Sequence, residues 1–287
     1  MKKVLLVLLA VLFLFGCSNA GGTAKVTDGD TAIITSPDGN YTKQDLFDAF
    51  MNTDMSYTLL QHISKQIVAK EGFDVEASVE ETVEMYKSMY GESFDMLTES
   101  YGGLDGFKEY IRGSVSITRL YDEYLKMNME KYVEEYKPFK AQIVYFDTME
   151  DVDKFLGTVN SGADFAQTAT DMGYLLDATG QVYTDKDSLP YEVKEYINSS
   201  SETGLSEPIV TVLSTTDTNG TTTETNRYYI VNVLDRDYNN FEDEFINSLR
   251  SYVDNAAAMS YYFEKHNLTV HDQRVYDLLS ATYEGVK

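Results

Sequence analysis

The feature that most constrains the fold of this chain is a change in hydrophobic period at Pro138. Before it, apolar residues recur at helical spacing, and residues 104–136 are expected to form one long helix. After it, Phe139–Phe146 is apolar and β-rich, which is typical of a buried strand. Helical spacing returns near the end, where residues 245–263 predict another long amphipathic helix. The expected fold class is therefore α+β, with mainly helical segments on both sides of a small mixed segment.

The central segment predicts a small unit of its own with an antiparallel sheet. An amphipathic helix follows the first strand, and Asp164 is placed to cap a second, shorter helix. Further strands are expected at 207–213 and 228–234. The residues between them, 214–225, are nearly all Ser, Thr, Asn, Asp and Gly, so they are expected to form an exposed loop or hairpin tip.

The segment before the long helix begins with a predicted strand at 31–35 and a turn at 37–40. Thr42 with Asp45 has the pattern of a helix start, in which a hydroxyl and a carboxylate satisfy free backbone N–H groups. Gly72 is expected to end the single helix that begins there.

The N-terminus predicts export and a lipid anchor. Lys2 and Lys3 precede an unbroken apolar run that is too short for a transmembrane helix but fits the core of a signal peptide. The run ends in Leu14-Phe15-Gly16-Cys17, which resembles the lipobox of bacterial lipoproteins, although Phe15 is bulkier than usual. Cys17 is therefore the expected lipidation site. The alternative is a lone buried thiol after an ordinary signal peptide.

Composition excludes several classes of protein. Removal of residues 1–16 takes away two of the 23 Lys and Arg and none of the 47 Asp and Glu, which leaves a net charge of −26. A chain this acidic repels phosphate backbones, so nucleic acid is not an expected partner. Because Cys17 is the single cysteine, no internal disulfide or cysteine-based zinc site is expected. Its apolar content of 43% is sufficient for a packed core.

Seven short stretches together resemble the PrsA-type foldase lipoproteins, which are relatives of the SurA chaperones. The first two resemble the family's opening helices, the next four its parvulin-type isomerase domain, and the last the exit from its final long helix. They are residues 40–47, 57–75, 140–144, 161–166, 205–210, 227–233 and 264–270. Their order and spacing carry the resemblance.

The resemblance implies a domain organisation for the whole chain. Residues 1–16 are expected to be the signal peptide and 17–30 a lipid-anchored tether. Residues 31–138 are expected to form the first part of a helical chaperone domain, which 239–287 completes. Residues 139–238 are expected to form a parvulin-like domain inserted between the two parts.

The central domain departs from the family at the positions that matter for catalysis. Parvulins rotate the bond before proline, whose barrier is ~18–20 kcal/mol, in a pocket that the family builds around two histidines. Those positions fall on Gln142 and Tyr229, and no histidine occurs anywhere in 139–238. Residues 180–183, with Tyr183, are only a remnant of the glycine-rich stretch that lines the family's pocket. The domain is therefore expected to be weak or inactive, with no residue assigned as catalytic.

Tyr and Met at helical spacing allow two interpretations. Tyr86 with Tyr90, and Tyr121 with Tyr124 and Met127, are typical of core positions. Soft Met and amphipathic Tyr also suit a surface that holds varied unfolded segments.

The expected function is that of a membrane-anchored extracytoplasmic chaperone. Its partners would be unfolded or partly folded secreted polypeptides, and the membrane through its lipid. The resemblance implies no cofactor and leaves a homodimer open. Two alternatives stay open: an active prolyl isomerase with an altered site, and a non-enzymatic binding or structural lipoprotein with one defined partner. No metal site is expected, because the acidic pairs at 28–30 and 185–187 lack the further carboxylates that calcium requires.

Overall fold

The computed structural model describes residues 25–287 except for 38, 52–54, 175–179, 200–201, 217, 219 and 221. Cys17, the predicted signal peptide and most of the predicted tether lie outside the described residues. The chain divides into two compact units. The first consists of the residues up to Tyr124 together with Asp254–Lys287, and the second is Leu125–Val253. The domain boundaries predicted at 138/139 and 238/239 stay a prediction.

The described residues form seven strands and twelve α-helices. The strands are β1 (Ala32–Ser36), β2 (Gly39–Thr42), β3 (Phe139–Phe146), β4 (Gln181–Tyr183), β5 (Gly204–Leu205), β6 (Ile209–Thr216) and β7 (Thr222–Asp235). The helices are α1 (Lys43–Met51), α2 (Ser56–Glu71), α3 (Glu76–Tyr90), α4 (Phe94–Glu99), α5 (Leu104–Met127), α6 (Met129–Tyr136), α7 (Met149–Asn160), α8 (Phe165–Asp171), α9 (Tyr191–Ser199), α10 (Glu242–Leu249), α11 (Asn255–Lys265) and α12 (Gln273–Ser280). The predicted α+β class is confirmed. None of these helices combines the length and the apolar composition that a bilayer span requires.

The start of α1 forms as predicted. The Asp45 N–H donates to Thr42 Oγ1 (3.2 Å), and the Thr42 N–H donates to Asp45 Oδ2 (2.8 Å). At the end of α2, Gly72 adopts a φ of 75°, a left-handed conformation that glycine reaches without steric strain. The single helix predicted between these two signals is wrong, because the structure forms two helices, of which α1 ends at Met51 and α2 begins at Ser56 after Met55 (φ −111°, ψ 7°).

The core of the first unit joins helices from both ends of the chain. Leu60 and Ile67 of α2 belong to one buried cluster with Leu120 of α5 and with Met259 and Phe263 of α11. Phe263 is fully buried in it. Burial of each such side chain contributes roughly 1.5–3 kcal/mol. The apolar face of the C-terminal helix is therefore covered by helices encoded about 140 to 200 residues earlier.

Two predicted long helices are wrong, because each is interrupted. Residues 104–136 form α5 and α6, with Asn128 outside helical geometry (φ −107°, ψ 15°). Residues 245–263 fall in α10 and α11, and α10 lies in the second unit. Asp254 is extended (φ −71°, ψ 127°), and its side chain accepts the Ala256 N–H at 2.8 Å, so it starts a new helix. The hydrophobic spacing is similar on both sides of each break.

The second unit is built on an antiparallel sheet with the strand order β4-β3-β7-β5, in which β6 also pairs with β7. One face packs Val144, Phe146 and Ile230 against Phe155 of α7 and Phe165 of α8. The prediction that Asp164 caps α8 is confirmed, since its carboxylate accepts the Gln167 N–H at 2.8 Å.

The opposite face of the sheet packs against α9. Ala141, Val231 and Val233 form a buried cluster there with Val193 and Ile197. Both faces of the sheet are therefore covered, and successive residues of β3 and β7 contribute to different clusters.

Of the two alternatives predicted for 214–225, the structure forms the exposed hairpin tip, and the strands extend into this segment. β6 extends to Thr216 and β7 begins at Thr222, and these two residues are paired directly across the hairpin. Threonine is β-branched and favours strand conformation, which explains why the polar segment continues the ladder.

Candidate functional site

Gln142 lies on the side of β3 that faces α7 and α8. Val144 and Phe146, two and four residues further along β3, belong to the cluster on that face. Gln142 is only 5% exposed, and its Oε1 accepts a hydrogen bond of 3.0 Å from Nδ2 of Asn232, the residue opposite it on β7. The two carboxamides therefore form a pair beside the apolar cluster. Sequence reasoning missed Asn232, because its register against Gln142 appears only once the strands are paired.

Tyr229 lies on the other face of the sheet. It is paired with Tyr145 across the β3–β7 ladder, and their ring centroids are 5.7 Å apart. It packs against the cluster that contains Val231 and Val233. Because side chains alternate along a strand, Gln142 and Tyr229 are directed to opposite sides of the sheet. The structure does not bring the two predicted positions together.

Ile143 shares a face with Tyr229. Both are partly buried against the same cluster, and Ile143 is paired with Val231, two residues along β7 from Tyr229. Successive side chains of a strand lie on opposite faces of the sheet. Ile143 therefore lies on the face opposite Gln142, although the two are neighbours in the sequence. Sequence reasoning did not single out Ile143, because no local signal distinguishes one register from the next.

Tyr183 belongs to the same face as Tyr229. It is paired with Phe139, and their rings stack with centroids 5.6 Å apart. Its hydroxyl donates to Gln181 Oε1 at 3.2 Å. Burial, and then the negative charge of Asp187, raise the pKa of its phenol, so it stays neutral and able to donate near neutral pH. The structure thus places Tyr183 and Tyr229 on one face around one apolar cluster.

At the end of the face that carries Tyr229, the cationic side chain of Arg227 lies over the ring of Tyr145, the partner of Tyr229. The Arg227 guanidinium carbon is 4.1 Å from the centroid of the Tyr145 ring, within cation–π range. Arg227 Nε also lies 3.4 Å from Asp147 Oδ1. Partial burial opposes the charge of Arg227, but a hydrogen bond with Tyr229 and the neighbouring Tyr145 outweigh it, so the pKa of the guanidinium is raised.

The chemistry of this sheet is that of neutral hydrogen-bonding groups rather than of acids and bases. Gln142, Tyr229 and Ile143 carry amide, phenol and alkyl groups, and none of these exchanges protons readily near neutral pH. Within the described ranges, no group of three or more His, Cys, Asp and Glu is arranged to hold a metal ion.

The first unit presents an apolar groove of about 450 Å³ beside the β1–β2 hairpin. It is lined by Val26, Lys43, Leu46, Phe47 and Phe50. Leu46 and Phe50 are each about half exposed, at 52% and 51%. Apolar side chains of this size are often covered in a folded domain, so this open groove is a candidate interaction surface.

Other apolar side chains of the first unit are also exposed. Met85 and Met89 of α3 are 50% and 67% exposed. Tyr90 is exposed as well and stacks on Tyr86, which packs edge-on against the buried Phe107.

The core interpretation of the Tyr and Met stripes holds for part of them. Tyr121 is buried and Tyr124 is partly buried, as the core interpretation predicts. Tyr90 and Met127 are exposed, so the core interpretation is wrong for them.

Comparison with known proteins supports the resemblance. No protein-family model matches the chain. A curated relative, the foldase protein PrsA 2 of Bacillus cereus, is 26% identical over 169 residues, which are 58% of this chain and 56% of the relative. The chain thus spans just over half the length of the curated relative it matches.

Solved structures of PrsA proteins are also similar. The Streptococcus pneumoniae protein covers 88% of this chain and all of its own length at 18% identity, with a TM-score of 0.48. The Lactococcus lactis protein covers the same shares at 20% identity, with a TM-score of 0.41. A peptidylprolyl isomerase (PrsA) from Bacillus cereus covers 89% of this chain and 99% of its own at 15% identity, with a TM-score of 0.44. The predicted resemblance to PrsA-type foldases is confirmed.

Proposed function

We propose that this chain, which resembles the PrsA-type foldases, is an exported foldase that holds unfolded segments of secreted proteins. Its helical unit binds the segments, and its parvulin-like unit has little or no isomerase activity. Cys17 carries lipid and holds the protein on the outer face of the bacterial membrane; this part of the proposal rests on the Leu14–Cys17 sequence. The similarity to a curated foldase supports the general role.

The apolar groove of the first unit is the observation that carries the proposal. Leu46 and Phe50 are each about half exposed in this groove. Because half of each side chain is already buried, a client that covers the rest contributes about half of the roughly 1.5–3 kcal/mol of complete burial, and the hydrophobic effect requires no defined sequence in the partner. A surface of this kind suits clients that share only exposed apolar residues.

The placement of residues in the sheet supports low isomerase activity. A pocket built around two side chains on neighbouring strands requires both on one face. We assign Ile143 and Tyr229 to the positions of the family's two histidines, because these two share a face. Ile143 offers no hydrogen bond to a twisting amide, so one half of the polar pair that the family uses is absent.

An active isomerase is the second candidate, and the Gln142–Asn232 pair favours it. The adjacent carboxamides of the buried Gln142 and the partly buried Asn232 carry N–H groups of the kind that suits the carbonyl of a twisted prolyl bond. Cis-to-trans rates on a proline peptide separate the two candidates. A rate that falls when Gln142 is replaced by Ala supports the isomerase, and a rate at the uncatalysed level in the wild type excludes it.

Suppression of aggregation tests the foldase proposal directly. Two unrelated unfolded proteins are diluted from denaturant with the wild type, with Leu46→Ser/Phe50→Ser, and with Met149→Ser/Tyr191→Ser as the matched control on exposed residues of the second unit. The wild type and the control should suppress aggregation of both clients, and the groove variant should suppress it at least several-fold less. Failure of the wild type with both clients contradicts the proposal. Suppression of only one client favours a binding protein with a defined partner.

A further inference from the structure

The hairpin formed by β6 and β7 extends beyond the rest of the sheet. β7 pairs with β3 only from Tyr228 onwards, where Phe146 is its last partner. The earlier residues of β7 pair with β6 alone, as far as the Thr216–Thr222 pair at the tip. β6 itself pairs with no other strand among the described residues. The hairpin is therefore a two-stranded ribbon whose outer edge along β6 pairs with no strand among the described residues, while α9 packs against the start of β6 at Ile209.

This edge lacks the features that normally prevent strands from pairing with other chains. Proteins protect exposed edges with charged residues, proline, bulges or very short strands. β6 has eight residues, contains no charged residue or proline, and pairs with β7 without a register shift. Six of the eight residues are β-branched, namely Ile209, Val210, Thr211, Val212, Thr215 and Thr216.

Apolar side chains accompany the open backbone. Val210 is 46% exposed, Val212 is 58% exposed and Leu213 is 41% exposed. Val210 and Val212 point to the same side of the ribbon, since they are two residues apart in the strand. An added strand would cover this apolar surface while it filled the free hydrogen-bonding positions of the edge.

We propose that the outer edge of β6 binds an extended segment of an unfolded polypeptide as an additional strand of the sheet. This inference rests on the foldase function proposed above and assigns a second client-binding surface to it. Hydrogen bonds to a strand edge are made by the backbone of the partner, so they are largely independent of its sequence. The adjacent exposed valines favour segments with apolar residues at alternate positions.

The charge of the protein identifies the occupant as a client rather than a second copy. The formal net charge is −24, so two copies brought together edge to edge repel each other. An unfolded segment of neutral or basic composition meets no such repulsion. β6 itself carries no charge that would exclude it.

Hydrogen exchange and binding of one probe test the proposal. The probe is reduced, carbamidomethylated lysozyme, which is basic and cannot refold, and the protein is the purified full chain. We expect the probe to slow amide exchange in Ile209–Thr216. We expect Val210→Lys/Val212→Lys to weaken probe binding at least tenfold, because charges on an edge strand oppose strand addition. The control Met149→Lys/Tyr191→Lys makes the same charge change on exposed residues of α7 and α9 and should weaken binding less than threefold.

The other outcomes are distinguishable. Probe binding without slower exchange in β6, or an equal loss in both variants, overturns the inference and leaves the foldase function standing. Slower exchange that depends on the concentration of the protein alone also overturns it, because the occupant is then a second copy. A wild type that neither binds the probe nor suppresses aggregation removes the foldase function and this inference with it. If a variant misfolds, the hydrogen exchange of the wild type with the probe still tests the proposal.

Discussion

The Glu71 carboxylate lies 2.7 Å from Nε2 of His266, although 195 residues separate them in the chain. Glu71 is the last residue of α2, and His266 follows the last residue of α11. The other carboxylate oxygen of Glu71 accepts a hydrogen bond of 2.8 Å from Lys265. Both side chains of the Glu71–His266 pair are largely buried. The contact therefore joins the ends of two helices from opposite ends of the sequence.

The first prediction is a pH-dependent contribution of Glu71 to stability. The hydrogen bond from Lys265, against some opposition from burial, lowers the pKa of Glu71 from its ordinary value of 4.5. A lowered folded-state pKa stabilises the fold above pH 4.5, and this contribution is lost as the pH falls through the folded pKa. We expect Glu71→Gln to reduce the free energy of unfolding at pH 7 by about 1 kcal/mol, and by less below pH 4.

Urea unfolding at pH 7 and at pH 3.5 measures this difference. Glu84→Gln is the matched control, because Glu84 pairs with Lys87 on an exposed helix surface. It should change stability little at either pH. A Glu71→Gln penalty that is the same at both pH values contradicts the assigned role.

The second prediction concerns the two faces of the sheet. Ile143→His/Tyr229→His places two imidazoles on one face, whereas Gln142→His/Tyr229→His places them on opposite faces. We expect the first double variant to raise the cis-to-trans rate on a proline peptide by at least about tenfold, because paired polar groups stabilise the twisted amide. The second should stay at the wild-type rate. A higher rate for Gln142→His/Tyr229→His than for Ile143→His/Tyr229→His would show that Gln142 occupies the position of the family's histidine.

The third prediction concerns the core of the first unit. Phe263→Ala removes a fully buried ring between α11 and α2 and should lower the free energy of unfolding by about 3–5 kcal/mol. Tyr191→Ala, at a position 72% exposed, should change it by less than about 0.5 kcal/mol. Chemical denaturation measures both. A small effect of Phe263→Ala would mean that α11 does not complete this core.

The fourth prediction concerns the anchor. Cys17→Ala should abolish incorporation of labelled lipid and leave an unprocessed precursor or release the protein into the medium. Metabolic labelling and fractionation of cells measure both effects. Label on the variant, or a wild type that is recovered free of membranes, would contradict lipidation at Cys17.

Local signals predicted most of the elements, whereas relations between elements were not predictable. Asp164 and the Thr42–Asp45 pair were identified correctly as helix starts, because caps depend on residues close in sequence. The sequence did not show which face of the sheet Gln142 occupies. A difference of one residue in the alignment moves every side chain of a strand to the other face and leaves the sequence pattern unchanged. The break at Asp254 was missed because apolar spacing continues on both sides of it.

The joining of α2 with α11 has a consequence for the order in which the protein forms. A chain is synthesised from its N-terminus, so Leu60 leaves the ribosome long before Phe263, its partner in the core. The residues of the second unit, Leu125–Val253, are all present before α11 arrives. The sheet is thus complete in sequence while the first unit still lacks a helix. The apolar groove lined by Leu46 and Phe50 therefore belongs to the unit that receives its last helices only after the whole second unit has been synthesised.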